Sequence, residues 1–425
     1  MTSSDLFGEL FLPSAVREAV SDRAWIEAML EFEAALATAE ATAGVIPGEA
    51  AKAITDACRA DRFDPASIGS DARATANPAA PLVRALTDAV DGDAARYVHW
   101  GATSQDVMDT AMMLVARRAL EPIGAELDGV TAACARLAEE HRSTVMPGRT
   151  LLQQALPITF GLKAAGWLVA VVDARRRLAA VPLAVELGGA AGTLASLGDD
   201  GPRVLGLIAE ELGLEEPAVP WHSSRARVAE LGCALALAAG AVEKIAQDVA
   251  LMAQTEVGEL AEPAGGERGG SSTLPHKRNP VGSALAIACA RRVRAEASLL
   301  LGAMAHEHER AAGAWQVEWE ALGRALGYTG GAAAAVREVL DGLEVRPERM
   351  RENLQGLVMA ESVSMALAER IGRAEAHRRV KDALDAGRPL RDEFDLSEEE
   401  LDPAGYLGSA DAFVDRALER YREHR

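Results

Sequence analysis

Lysine is scarce in this chain. Only Lys52, Lys163, Lys244, Lys277 and Lys381 occur among 44 basic residues, so a lysine inside a motif stands out from its background. Aromatic side chains make up 4 % of the 425 residues, while alanine is abundant, which favours closely packed helices over a sheet sandwich. The four cysteines, Cys58, Cys134, Cys233 and Cys289, show no C-x-x-C spacing and sit among alanines and leucines. They read as small buried hydrophobes in a reducing cytosol. Long apolar runs are missing too: stretches such as 164–172 and 234–242 fall well short of the roughly 20 residues that span a bilayer. The first residues lack the basic-then-apolar pattern of a secretion signal, so the expectation is a soluble, cytoplasmic protein without a membrane role. Positive charge is in deficit. A formal charge of −20 argues against nucleic-acid partners and requires any anion site to be a local basic pocket.

Strand-like alternation is rare, whereas helical periodicity is sustained. Long helices are expected at about 104–141, 157–181 and 225–262, with another from Pro280 to about Glu309. Within 225–262, Leu231, Ala234, Leu235, Leu237, Val242, Ile245, Val249 and Leu251 cover more than one face, as in a helix buried on all sides. Interruptions at 187–192 and 215–217 separate these helices. The expected organisation is all-α with three domains. Residues 1–105 form shorter helices with turns at Gly44, Pro47 and Pro65. Residues 106–345 form a long-helix bundle, and 346–425 form a small charged helical domain after Arg346-Pro347.

The most informative stretch is 265–280, Gly-Gly-Glu-Arg-Gly-Gly-Ser-Ser-Thr-Leu-Pro-His-Lys-Arg-Asn-Pro. Four glycines in six positions free the backbone to approach a ligand. Ser271, Ser272, His276, Lys277, Arg278 and Asn279 then supply donors and positive charge. Asn279-Pro280 reads as an N-cap followed by proline at the first helical position. Cations and donors at a helix N-terminus suit a small carboxylate. A second cluster, His99-Trp-Gly-Ala-Thr103-Ser104-Gln105-Asp106, contains a capping box from Thr103 to Asp106. Capping accounts for Thr103 and Asp106 as well as ligand binding does. The third cluster is Pro147-Gly-Arg149-Thr150-Leu151-Leu152-Gln153-Gln154. There Arg149 either grips a carboxylate bidentately or bonds backbone at a helix start.

These stretches resemble the fumarase/aspartase superfamily. The loop is similar to its Gly-Ser-Ser-x-x-Pro-x-Lys-x-Asn-Pro signature, 103–106 to its Ser/Thr-Ser-x-Asp segment, and 148–153 to its Gly-Arg-Thr-His-x-Gln segment. The resemblance implies a fold with a central bundle of long helices, assembled as a homotetramer whose active sites draw 99–106, 148–154 and 265–280 from different subunits. It implies Ser271 as the base beside a substrate carboxylate, with Lys277 and Asn279 stabilising the aci-carboxylate. Thr103, Ser104, Gln105, Arg149, Thr150, Gln153, Ser272 and His276 would bind a small polycarboxylate. No metal or organic cofactor is implied. Two positions depart from the pattern. Leu151 stands where fumarases and adenylosuccinate lyases carry histidine, and Ala284 where they carry its glutamate partner.

Expelling hydroxide or an amine calls for proton delivery, whereas a carboxylate with a reference pKa near ~4 leaves unaided. The departures therefore favour a stabilised anion as leaving group or nucleophile. That chemistry resembles the bacterial 3-carboxy-cis,cis-muconate cycloisomerase branch. Similarities at 76–78, 101–110, 187–193, 220–222 and 313–319 extend the match along the chain. A fumarate-forming lyase acting on a nitrosuccinate-, aspartate- or adenylosuccinate-type substrate is the alternative, and a non-catalytic helical scaffold is the third reading. His306-Glu-His308 resembles a metal pair, but residues two apart on a helix point to different faces. Trp315 and Trp319, four apart, share a face as core or interface residues, and His99 and His222 fit either pocket lining or core.

Overall fold

The computed structural model describes residues 5–263, 269–270, 274, 277–354 and 356–424. Helices dominate. Among the described residues six are long: Asp22–Ala43, Ser104–Glu140, Phe160–Ala179, Ala226–Met252, Val281–Gly302 and Ala314–Asp341. Among the described residues the strands are four short ones, β1 (Val145–Thr150), β2 (Gln153–Thr159), β3 (Leu260–Ala261) and β4 (Glu344–Val345), pairing antiparallel as β1–β2 and β3–β4. The all-α expectation holds with these additions. No helix is long and apolar enough to cross a membrane among the described residues.

The chain divides into two compact units, and the boundary falls inside every long helix except Asp22–Ala43. The first comprises Met1–Glu126, Ala174–Gly240 and Ala288–Ala334. Its Asp22–Ala43 helix starts where the Ser21 hydroxyl accepts from the Ala24 N–H and stops at left-handed Gly44. Met29, Phe32 and Leu36 from that helix, Ile54 from Gly48–Ala57 and Leu82 and Leu86 from Ala79–Ala89 are fully enclosed. Each such side chain contributes about 1.5–3 kcal/mol through removal from water.

The second unit comprises Leu127–Asp173, Ala241–Ile287 and Ala335–Arg425. Proline at the first helical position opens Pro347–Asn353 as its sequence suggests. Nearer the C-terminus, Val363, Val380, Ala383 and Leu390 form a small core flanked by Leu367, Phe394 and Leu401.

Several boundaries differ from the sequence expectation. The helix expected over 225–262 ends at Met252. There the chain turns through left-handed Gly258, and the buried Glu259 is drawn to Arg149. The helix expected from Pro280 to about Glu309 runs Val281–Gly302, and 303–313 is irregular. His306 and His308 therefore do not share a helix. The segment around Arg149 is a strand rather than a helix start, and Phe160–Ala179 begins only after β2. Alternation failed to flag this hairpin because neither strand regularly alternates buried with exposed residues, and each carries a proline, Pro147 and Pro157. Its two-residue tip is Leu151-Leu152 rather than the usual Asn-Gly. All four cysteines are free thiols, Cys134 and Cys289 buried and Cys58 and Cys233 half-buried.

Candidate active site

In the first unit the 99–106 segment is a tight turn fixed at both ends. His99 and Gly101 adopt positive φ, and a Cβ on Gly101 would lie 2.7 Å from the Leu197 side chain. Only glycine fits such a close, left-handed position. Asp106 then gathers the surroundings. Its Oδ2 accepts from the N–H of Thr103 at 2.9 Å and of Gly189 at 3.0 Å. Its Oδ1 accepts from the Gly188 N–H at 2.9 Å and faces His222 Nε2 at 2.6 Å. The carboxylate half of the expected capping box thus also pins the 187–189 glycine turn. Thr103 and Ser104 remain half-buried at the positive end of the Ser104–Glu140 helix dipole.

Gln105 is placed differently. It is fully buried, its amide donating to Asp109 Oδ2 at 3.0 Å and to the His222 carbonyl at 2.9 Å. Its own oxygen accepts from Arg310 Nε at 3.1 Å. Arg310 also reaches the carbonyls of Ala190 and Gly189. These bonds commit the Gln105 side chain to the protein itself.

Beneath this turn lies a charge network that the sequence did not signal. Arg225 is wholly enclosed between two carboxylates. Its Nη1 and Nη2 donate to Asp109 at 2.6 and 3.0 Å, and its Nε donates to Glu318 at 3.0 Å. Trp315 Nε1 donates to the same Asp109, and the His306 ring lies 3.4 Å from Glu318. The one available cue was an arginine immediately before the apolar Ala226–Met252 helix. Its partners, Asp109 and Glu318, are 116 and 93 residues away.

Among the described residues, the one trio of potential metal ligands is Asp106, Glu186 and His222. Most of its ligand atoms are already engaged: Asp106 through four contacts, His222 through Asp106, and Glu186 Oε2 through the Trp221 N–H at 2.6 Å, while Glu186 Oε1 is buried without a hydrogen bond. Burial, reinforced by the charges of Asp106 and Asp109, holds the Glu186 carboxyl well above the usual carboxylate range. The trio therefore packs around His222, a core histidine whose Nε2 lies against Asp106.

A second acidic pocket supports His99. Its Nδ1 lies 2.6 Å from the buried Glu33 Oε1. Burial works to lower the imidazole pKa, but the Glu33 charge and hydrogen bond outweigh it and raise it above the ordinary value. Glu40, fully buried with both carboxyl oxygens unpartnered, is pushed up to about 9 by burial and then by Glu33. Both shifts have one sign: above the unfolded pKa the folded state binds more protons, so stability falls as pH rises. For Glu40 that loss runs from about pH 4.5 to about 9. A Glu40→Gln variant should show a flatter fall of thermal midpoint across this window than the parent chain. An unchanged slope would remove Glu40 from the pH dependence.

In the second unit, the β1–β2 hairpin carries Arg149, Thr150 and Gln153. Arg149 does grip a carboxylate bidentately, and it is that of Glu259, at 2.6 and 2.9 Å. Asn353 Nδ2 donates to Glu259 at 2.9 Å and Gln154 Nε2 to the Asn353 carbonyl at 2.7 Å, completing a chain of polar contacts. Thr150, Leu151, Leu152 and Gln153 are exposed at the hairpin tip. Leu151 and Leu152 are left-handed, with φ of 50° and 65°, and are 96 % and 75 % exposed.

Ser271, Ser272 and His276 lie outside the described residues. Lys277 is exposed, its N–H donating to the Leu274 carbonyl at 3.0 Å. The Asn279 N–H donates to the Gly269 carbonyl at 2.8 Å. Gly269, also left-handed, leaves no room for a Cβ, which would come 2.7 Å from the Asn279 carbonyl oxygen.

Helix Val281–Gly302 begins one residue later than expected. Its N–H donors at Gly282 and Ser283 already hold a carboxylate, that of buried Glu262, at 2.9 and 2.8 Å. The helix N-terminus thus binds an internal anion. Arg278, by donating to the Glu262 carbonyl at 3.0 Å and pairing with Glu344, ties the loop exit down. Ala284 is exposed on the first turn of this helix.

Comparisons with known proteins agree with this architecture. The chain matches the profile of the lyase family over residues 13–295. It is 47 % identical to 3-carboxy-cis,cis-muconate cycloisomerase of Bradyrhizobium diazoefficiens, with 98 % of each chain covered. It is 45 % identical to nitrosuccinate lyase of Streptomyces davaonensis, covering 98 % of this chain and 95 % of that one. The crystal structure of 3-carboxy-cis,cis-muconate lactonizing enzyme from Pseudomonas putida matches with a TM-score of 0.92 at 42 % identity, covering 99 % of this chain and all of that one. On its long-helix architecture and this match, the chain belongs to the lyase family of the fumarase/aspartase superfamily.

Proposed function

We propose that the chain is a 3-carboxy-cis,cis-muconate cycloisomerase, interconverting that diene tricarboxylate and 4-carboxymuconolactone within aromatic catabolism. One observation carries the reading. Neither of the two positions where the superfamily keeps its acid pair, Leu151 and Ala284, bears a group able to move a proton. The relatives named as cycloisomerases, at 47 % and 46 % identity, support it.

In the lactonising direction an oxygen of one substrate carboxylate attacks the conjugated double bond, forming the ring C–O bond. The displaced electron pair moves into a neighbouring carboxylate as the aci-form, stabilised by Lys277 and Asn279. The Ser271 hydroxyl then protonates the adjacent carbon, and solvent returns its proton. The remaining carboxylate would rest against Thr103 and Ser104, with Thr150, Gln153, Ser272 and His276 completing the pocket. For Gln105 and Arg149, whose polar atoms are bonded within the chain, the role that fits is holding these segments in place.

The proposed working form is a cytoplasmic homotetramer with shared active sites, built on the three segments 1–105, 106–345 and 346–425. Its support is apolar surface that a single chain leaves in water: Leu237, Leu251, Leu299 and Leu301 on the long helices, and the Leu151-Leu152 tip.

The nitrosuccinate lyase relative at 45 % identity favours a second reading, a fumarate-forming elimination that expels another stabilised anion. Ultraviolet absorbance separates the two. Incubation with 3-carboxy-cis,cis-muconate should bleach the conjugated diene and yield a lactone. An intact diene, with fumarate and nitrite appearing from nitrosuccinate, would replace the cycloisomerase reading with the lyase one.

A further inference from the structure

Glu33 is buried on the Asp22–Ala43 helix, and among the described residues its one hydrogen bond is with His99. The backbone of His99 is left-handed, with φ of 59°, a strained conformation that persists where surrounding contacts hold it. The two ring nitrogens are treated differently. Nδ1 lies 2.6 Å from Glu33 Oε1, whereas Nε2 makes no hydrogen bond among the described residues and retains accessible surface. Glu33 thus fixes one nitrogen and leaves the other open, in the same turn as Thr103 and Ser104.

Charge singles out the same residue. Thr103 and Ser104 offer uncharged hydroxyls, and the Asp106 carboxylate stands beside them. From 99 to 106, His99 is the one side chain able to carry positive charge. The charges facing its ring are Glu33 and, on the Ser104–Glu140 helix, Asp106, both negative. Nearby Arg96 donates to the Tyr97 hydroxyl at 3.0 Å, and Glu40, further along the Glu33 helix, is protonated at neutral pH. Burial opposes the imidazolium, but the two carboxylates outweigh it. With Nδ1 engaged, an imidazolium has Nε2–H left to donate.

We propose that Glu33 is a positioning residue for substrate binding, holding His99 so that its Nε2–H donates to a substrate carboxylate beside Thr103 and Ser104. The inference rests on the carboxylate-binding part of the proposed function, which the cycloisomerase and lyase readings share. Because Glu33 sits at Nδ1, the substrate meets the cationic end of the pair first, and the bond is charge-assisted. A neutral ring with its proton on Nδ1 presents a lone pair at Nε2, which repels a carboxylate. Binding therefore weakens as pH rises through the His99 pKa.

Calorimetry of the intact protein with tricarballylate, a saturated tricarboxylate, tests this between about pH 5.5 and 8, within the range where His99 titrates. His99→Asn, a residue that tolerates the left-handed backbone, should weaken binding at the acidic end. The loss should be about tenfold to hundredfold, the size of a hydrogen bond to a charged group. Glu33→Gln keeps an acceptor for Nδ1 but removes the charge. Its affinity should match the parent chain's at the acidic end and fall away at a lower pH than the parent's does. With substrate, both variants should lose kcat/KM mainly through a raised KM, the mark of lost ground-state binding. No saturable binding by the parent chain, undiminished affinity in His99→Asn, or a Glu33→Gln deficit equal at every pH would overturn the proposal. An intact diene in the parent chain would instead count against the cycloisomerase reading alone, since tricarballylate binding needs no turnover.

Discussion

Replacing Ser271 by alanine is expected to lower kcat by about 10²–10⁴-fold, the range that one positioned proton-transfer group supplies. Thermal midpoint and oligomer size should not move, since the change deletes a single oxygen. The serine carries the only proton that the proposed lactonisation must deliver, and neither Leu151 nor Ala284 offers a substitute. Because a free hydroxyl is a poor base near neutral pH, the reverse reaction depends even more on an activated serine. Loss of turnover together with loss of folding would instead make Ser271 a structural residue. Wild-type turnover in Ser271→Ala would take it out of the mechanism.

Replacing Arg225 by methionine is expected to destabilise the fold by about 3–5 kcal/mol, the cost of leaving buried charge without its partner. Asp109 and Glu318 are both fully buried and both face this guanidinium. Typical domains have about 5–15 kcal/mol in total, so a large drop in denaturation midpoint follows. Neutralising the acids as well, with Asp109→Asn and Glu318→Gln alongside Arg225→Met, should recover much of the loss, because no uncompensated charge then remains. A single variant costing less than about 1 kcal/mol would reduce the network to the worth of a surface ion pair. The effect on turnover is expected to be indirect. Asp109 bonds Gln105, and Gln105 is held against the turn that carries Thr103 and Ser104.

Features set by local rules were legible in the sequence. The Ser104–Glu140 helix, its Thr103–Asp106 cap, the Gly44 stop and the Pro347 start follow from capping chemistry and periodicity over a few residues. The family signature was legible for a related reason: Lys277, Asn279 and the glycines before them lie within one short stretch.

Tertiary structure alone decided what joins distant residues. Glu262 occupies the helix N-terminus that looked open to a ligand, and Glu259 takes the guanidinium of Arg149 across 110 residues. The β1–β2 hairpin formed despite facing prolines because its ladder is made by the partner strand, which no window on one strand records. The Arg225 network exists only where separate helices meet. Short-range bonds fix a helix from its own residues. A buried charge, by contrast, is tolerated only once folding brings its partner to it.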